Sequence, residues 1–290
     1  MSAGGPFGAD ALAEAHKHCA ALAREKARDQ WLGSLYAGES ARDGLLALAC
    51  FDYEIRQAAV RARDPNLAAI RLAWWREIVN AERDGEAAGS PVALALRAAL
   101  EAFALPRAWA EAMLDARLQE IAPQEDFNLI AFEAYAEESE GARLRLASQI
   151  AAGGADLDAA RAHAPAGFAL ALTRMLAALP FRAGAAPTLF PADVAARHGA
   201  SGQDLDARRA TAGAVAAATE LRALAREKLE EAERRLATSP RAILPAFIPL
   251  GALRLDLARL ERKASRPFEP AGESSPLARQ WAIWRWARRR

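Results

Sequence analysis

The chain has 290 residues, 52% of them hydrophobic, enough to bury a large core without disulfides or metals. Its formal charge of +1 gives no global electrostatic case for nucleic-acid binding, which is excluded as a function class. The two cysteines, Cys19 and Cys50, stand outside any CxxC or Cys/His spacing, so neither a zinc site nor a disulfide framework is expected.

Ala, Leu, Arg and Glu dominate, and no run alternates β-branched residues, so the fold class is all-α. Met1 to Asp10 is Gly-rich, reads as a flexible terminus and lacks a basic-then-apolar signal pattern. A first helix is expected over Ala11 to Tyr36, broken by Gly38-Glu39-Ser40. A second runs from about Gly44 to Arg63, capped by Ser40 or Asp43. Asp64-Pro65-Asn66 makes a turn, and Leu67 to Arg83 follows with Leu67, Ile70, Trp74 and Ile78 on one face. Asp84 to Pro91 reads as a linker, and helices follow over Val92 to Phe103 and from Pro106 to Ile121.

Pro123 to Asn128 reads as a loop and Leu129 to Ala151 as one long helix, ended by Gly153-Gly154. Ala159 to Leu179 is helical with a kink at Pro165. Pro180 to Thr188 is irregular, and Pro191 opens a short helix that stops at Gly199. The longest helix is expected over Leu205 to Ala237. Ile243 to Lys263 is bent at its start by Pro245 and Pro249, and a basic, Trp-rich helix begins at Pro276. No fixed-period repeat and no composition shift divides the chain, which predicts one domain over residues 1–290. No apolar run reads as long enough to span a bilayer, which predicts a cytoplasmic protein with at most peripheral membrane contact.

Four segments in order carry a resemblance. Leu45 to Arg56 is LLALACFDYEIR, Ile70 to Ile78 is IRLAWWREI, and Tyr135 to Gly141 is YAEESEG. The fourth is Leu189-Phe190-Pro191 with Asp193 and His198-Gly199. Together they resemble the squalene/phytoene synthase family. The resemblance implies the isoprenoid synthase fold, an antiparallel helical bundle around a central cavity. It also implies head-to-head condensation of two prenyl diphosphates, with Mg²⁺ held by two Asp-x-x-x-Asp motifs on facing helices.

Aligned on Phe51, the first acidic positions fall near Arg56, Gln57 and Val60. Aligned on Thr173 and Pro191, the second fall on Ala178, Phe181 and Arg182. An arginine in a metal pocket repels Mg²⁺, so the expectation is a protein with no catalytic residues and no cofactor, Mg²⁺ entering only if transferase chemistry survives. The stretch Thr173 to Gly199 resembles a motif-degenerate branch of the family that includes the mitochondrial respiratory complex I assembly factor. That branch implies a respiratory membrane complex or its subunits as partner. An active prenyl transferase and an isoprenoid- or lipid-binding protein without turnover remain as alternatives.

Candidate pocket residues are Glu54, Arg56, Arg71, Trp74, Trp75, Tyr135, Glu137 and Arg182. Arg71 is expected to point inward, as an anion contact or, by preference, in a salt bridge with Glu54 or Glu137. Arg56 and Arg182 read as an anion site or, by preference, as solvated. Trp74, Trp75 and Tyr135 read as cavity wall or ordinary core, with core preferred. Glu133, Glu137, Glu138 and Glu140 read as a water-facing charged face. Trp281, Trp284, Arg285 and Arg288 fit either a lipid headgroup contact or a helix whose tryptophans pack on the bundle.

Overall fold

The computed structural model describes residues 8–61, 64–121, 127–157, 160–181 and 189–290, and every regular element among them is helical. The chain order begins α1 (Ala9–Lys26), α2 (Arg28–Ser34), α3 (Glu39–Arg61), α4 (Pro65–Val79), α5 (Asp84–Gly89), α6 (Pro91–Ala102) and α7 (Arg107–Ile121). Next come α8 (Leu129–Ala136), a π-helical turn (Glu137–Gly141), α9 (Ala142–Ala151) and α10 (Ala160–Ala178). The chain then continues through α11 (Ala192–Arg197), α12 (Gly202–Asp206) and α13 (Ala212–Leu236). It closes with α14 (Leu244–Phe247), α15 (Leu250–Arg262) and α16 (Pro276–Ala287).

Several starts follow from local chemistry. Asp64, Ser90 and Ser275 each precede a proline at the first helical position and accept a backbone N–H of the first turn, at the heads of α4, α6 and α16. Asn128 and Thr211 cap α8 and α13 in the same way. Within α10, Pro165 cannot donate to the Arg161 carbonyl four residues back, and the Arg235 guanidinium of α13 donates to it instead.

Other boundaries depart from the sequence expectations. The first helix divides at Ala27 (φ −133°), and α2 packs on α14 and α16. Ser40 and Asp43 lie inside α3, which begins at Glu39. The expected linker over 84–91 holds α5. Ala81 and Ala104, left-handed without being glycine, follow the ends of α4 and α6. Arg208, also left-handed, separates α12 from α13, so the longest helix starts at Ala212 rather than Leu205. The loop expected over 123–128 is described only at Phe127 and Asn128, and residues 182–188 lie outside the described residues.

α3 runs through the interior, touching α1, α4, α6, α7 and α9, while α10 packs on the π-turn, α13 and α15. By length and composition, residues 161–181 do suffice to cross a membrane, contrary to expectation, but 67% of the apolar stretch is buried among the other helices. It is the core helix of the bundle. Its approach to the π-turn is close: a Cβ on Gly167 would stand 2.6 Å from the Gly141 backbone nitrogen. Gly167→Ala should therefore force two backbones apart and destabilise the fold by about 1–3 kcal/mol, measured by urea unfolding.

His163 of α10 is buried, stacked on Phe247, with Nε2 3.0 Å from Ser148 Oγ. Ser148 donates to the Leu144 carbonyl and so accepts from Nε2–H, which leaves Nδ1 without a partner among the described residues. Burial, aided by the Arg145 charge, pushes the imidazole down to about 3 from 6.5. Above pH 6.5 neither folded nor unfolded chain protonates it. Below that pH only the unfolded chain does, so stability falls as pH drops towards 3. Between pH 7 and 5 the native chain should lose up to about 2 kcal/mol more than His163→Asn, measured by unfolding at both pH values.

Candidate functional site

The π-turn delivers Glu140 into the middle of the bundle. Seven residues separate Glu133 from Glu140, a spacing that keeps one face in an unbroken α-helix. Here Glu133 is exposed and Glu140 is 1% exposed, because the wide turn shifts the register between them. Three arginines from three elements converge on Glu140. Arg56 of α3 donates to Oε1, Arg143 of α9 donates to Oε2 at 3.0 Å, and Arg174 of α10 donates to Oε1. Arg56 also donates from Nε to Asp52, one turn earlier on α3, at 2.8 Å. A second group adjoins these: Arg117 donates to Glu120, Tyr135 donates its hydroxyl to Glu120 at 2.5 Å, and the Arg117 guanidinium lies 5.8 Å from the Tyr135 ring centre.

Four guanidinium groups thus meet three carboxylates, Arg174 reaching in from the rim with its side chain 43% exposed while the other three arginines are largely buried. Burial alone would raise the Asp52 carboxyl, but Arg56, Arg143 and Arg174 outweigh it and hold the group below its ordinary value. Burial lowers Arg143 to about 10 and, with repulsion from Arg56, Arg174 to about 9; both stay cationic at neutral pH. For Arg56, burial is outweighed by Asp52, which raises it. Tyr135 is pushed up, chiefly by burial. Asp52 Oδ1 is buried and lacks a hydrogen-bond partner among the described residues.

Beyond the cluster lies a cavity of about 320 Å³ between α10 and α15. Arg143, Arg174 and Leu170 form one wall, and Leu253, Asp256 and Arg259 the other. Arg279 closes an end, paired with Asp29 and Asp256. The arrangement suits an anion with a short apolar part, provided the ligand competes for arginines already paired with carboxylates.

The sequence-predicted residues divide. Arg56 and Tyr135 enter the cluster, and Arg56 is not solvated: its side chain is 16% exposed and holds two carboxylates. Glu140 likewise does not face water. Glu54 lies on the opposite side of α3 from Asp52 and acts on Cys50. Arg71 does not point inward. The buried side of α4 is Ala68, Leu72, Trp75, Ile78 and Val79, one step round from the expected stripe, so Leu67, Ile70 and Arg71 are exposed.

Trp75 packs edge-on against Phe51 and Trp74, and the Trp74 indole donates to Glu86 at 2.6 Å; neither lines the cavity. Glu137 lies 4.0 Å from Arg145, and its Oε2 is buried without a partner among the described residues. Arg182 lies outside the described residues. On α16, Trp281, Trp284, Arg285 and Arg288 are all exposed, so these two tryptophans do not pack on the bundle, a role taken by Trp286. Among the described residues, no three His, Cys, Asp or Glu side chains converge as a metal site.

Sequence reasoning missed Asp52, Arg117, Glu120, Glu140, Arg143 and Arg174. The Asp52–Arg56 spacing of four was a readable signal. Nothing local marks Glu140 as buried.

Residues 23–282 match the family described as Squalene/phytoene synthase. The chain is similar to the mouse (Mus musculus) protein named NADH dehydrogenase (ubiquinone) complex I, assembly factor 6: 24% identical over 274 residues, 93% of this chain and 82% of that protein. The human (Homo sapiens) counterpart is 24% identical over 254 residues, covering 88% of this chain and 76% of its own length. In fold, a dehydrosqualene synthase solved with a ligand matches at a TM-score of 0.80 and 14% identity, over 97% of this chain and 98% of its own. A squalene synthase from Alicyclobacillus acidocaldarius matches at 0.73 and 19%, over 89% and 97%.

Removing Glu140 would leave Arg56, Arg143 and Arg174 facing one another. Glu140→Ala should cost about 3–5 kcal/mol in chemical denaturation. Arg76→Ala, which breaks a pair with Asp115 at the surface, should cost under about 1 kcal/mol.

Proposed function

The chain belongs to the squalene/phytoene synthase family, and within it we propose a protein that does not turn over prenyl diphosphates but acts by binding, in the maturation of respiratory complex I. The observation that carries the first half is the Glu140 cluster. In the family's enzymes, Mg²⁺ bound by two acidic motifs accepts the charge of a departing diphosphate. Aligned on Phe51, and on Thr173 and Pro191, the corresponding positions here carry Arg56, Gln57 and Val60, and Ala178, Phe181 and Arg182.

Mg²⁺ needs carboxylate oxygens free to coordinate, in near-octahedral order. Glu140 has both oxygens engaged by arginines, and Arg56 occupies one oxygen of Asp52. Among the described residues the buried carboxylate oxygens left without a partner are Asp52 Oδ1 and Glu137 Oε2, on different elements and with three arginines gathered on Glu140 nearby, which is a poor fit for a divalent cation. The second half rests on the relatives: those similar over most of this chain bear the name of complex I assembly factor 6.

A second reading, ligand binding without turnover, is favoured by the cavity beside Arg143 and Arg174. It is compatible with an assembly role and differs from it in needing an occupant.

Purified protein given farnesyl or geranylgeranyl diphosphate with Mg²⁺ should release no diphosphate above a no-protein control. Turnover would restore the transferase reading. Deleting the gene in its own organism should lower assembled complex I, read as NADH:quinone activity and on native gels. Unchanged complex I would remove the assembly role.

A further inference from the structure

The last helix presents a face that nothing in the bundle covers. α16 is not a loose tail. Ile283 and Trp286 are buried against α15, where a Cβ on Gly251 would come within 2.8 Å of Trp286 Cβ. The Trp286 indole donates to Glu233 at 3.0 Å, and Arg290 donates to the Glu233 carbonyl. Near the other end, Arg279 is held by both Asp29 and Asp256. With its inner side fixed at both ends, the outer side is held rigid.

That outer side carries Leu277, Trp281 and Trp284, at 79%, 57% and 38% exposure. The spacings of four and three put them on one stripe, which Arg288 continues. The two indoles stack at 4.8 Å, and the Arg288 guanidinium sits 4.8 Å from the Trp284 ring centre. Arg285 and Arg289, both exposed, flank the stripe on one side. Among the described residues, no carboxylate pairs with Arg285, Arg288 or Arg289, and residues 274–290 contain no Asp or Glu.

We propose that α16 docks this protein on an anionic lipid bilayer, lying in the headgroup plane with Leu277, Trp281 and Trp284 toward the acyl chains and Arg285, Arg288 and Arg289 on the phosphates. Indole rings suit that depth because one edge is apolar and the other donates a hydrogen bond. Guanidinium groups flanking an apolar stripe add attraction to anionic lipid. A second copy of the same face would oppose arginine with arginine, which disfavours self-association there. The proposal does not depend on the assembly role.

The experiment is co-sedimentation of the full chain with phosphatidylcholine vesicles, with and without 30% phosphatidylglycerol. The native chain should sediment with the anionic vesicles and far less with neutral ones. Trp281→Ala with Trp284→Ala should abolish sedimentation while circular dichroism stays native, since both side chains are exposed. Replacing Arg285, Arg288 and Arg289 with Gln should weaken binding by roughly 100-fold, about fivefold for each charge. A native chain that stays in the supernatant overturns the proposal, as does undiminished binding by the tryptophan variant. Dimerisation that the tryptophan variant abolishes, without vesicle binding by the native chain, assigns the face to a second copy and also overturns it.

Discussion

A buried carboxylate holding three arginines organises this bundle. Glu140 on its own would be an expensive charge to bury, and so would each arginine. Together they are tolerable only if the geometry is tight, which requires α3, α9 and α10 to stand at fixed distances from the π-turn. The glycine pair Gly141 and Gly167 sets one of those distances by letting two backbones meet. The π-turn sets another, rotating Glu140 inward where an α-turn would have left it on the face of Glu133. The cost of leaving any member unpaired makes the network a constraint on helix register as much as a source of stability.

Much of the fold was legible because its starts are written in short-range chemistry. Ser275-Pro276 announces its helix by supplying an acceptor and a fixed φ; Asp64-Pro65 and Ser90-Pro91 carry the same signal, but reading them as a turn and a linker end put those starts at Leu67 and Val92, one or two residues late. Ends were less legible. Ala81 and Ala104 follow the stops of two helices in a conformation that sequence reasoning reserves for glycine. The break at Ala27 has no local signal, and the packing of α2 on α14 and α16 arises from chain more than 200 residues away. The stripe on α4 was misjudged by one step. Trp74 reads as core by composition, yet it sits at the rim with its indole on Glu86, while Trp75 takes the interior.

The site was legible in its outline and opaque in its content. Family order brought Arg56 and Tyr135 into the candidate set, although Arg56 was expected to be solvated and Tyr135 to be ordinary core. What could not be read was the compensation. Glu140, Arg143 and Arg174 belong to residue types that are normally exposed, Glu140 and Arg143 in a segment rich in charge and Arg174 in an apolar one, and only the packing of three helices brings them together. A composition-based rule assigns such a segment to water. Here each carboxylate meets at least one arginine inside the bundle, so the rule fails for a definite electrostatic reason.

That pairing bears on what such a fold can still do. A pocket built to receive metal and diphosphate needs unpaired carboxylates held ready at some cost in stability. In this chain Arg56 stands on α3 beside Asp52, and Glu140 draws Arg56, Arg143 and Arg174 to itself, so the carboxylates are engaged and the group keeps one positive charge in excess. An incoming ligand would have to break these pairs before making its own, so selectivity for any occupant of the cavity beyond would be bought against the network. A second uncompensated feature lies on the outer side of α16, where indoles and guanidinium groups face outward with no carboxylate among the described residues to meet them.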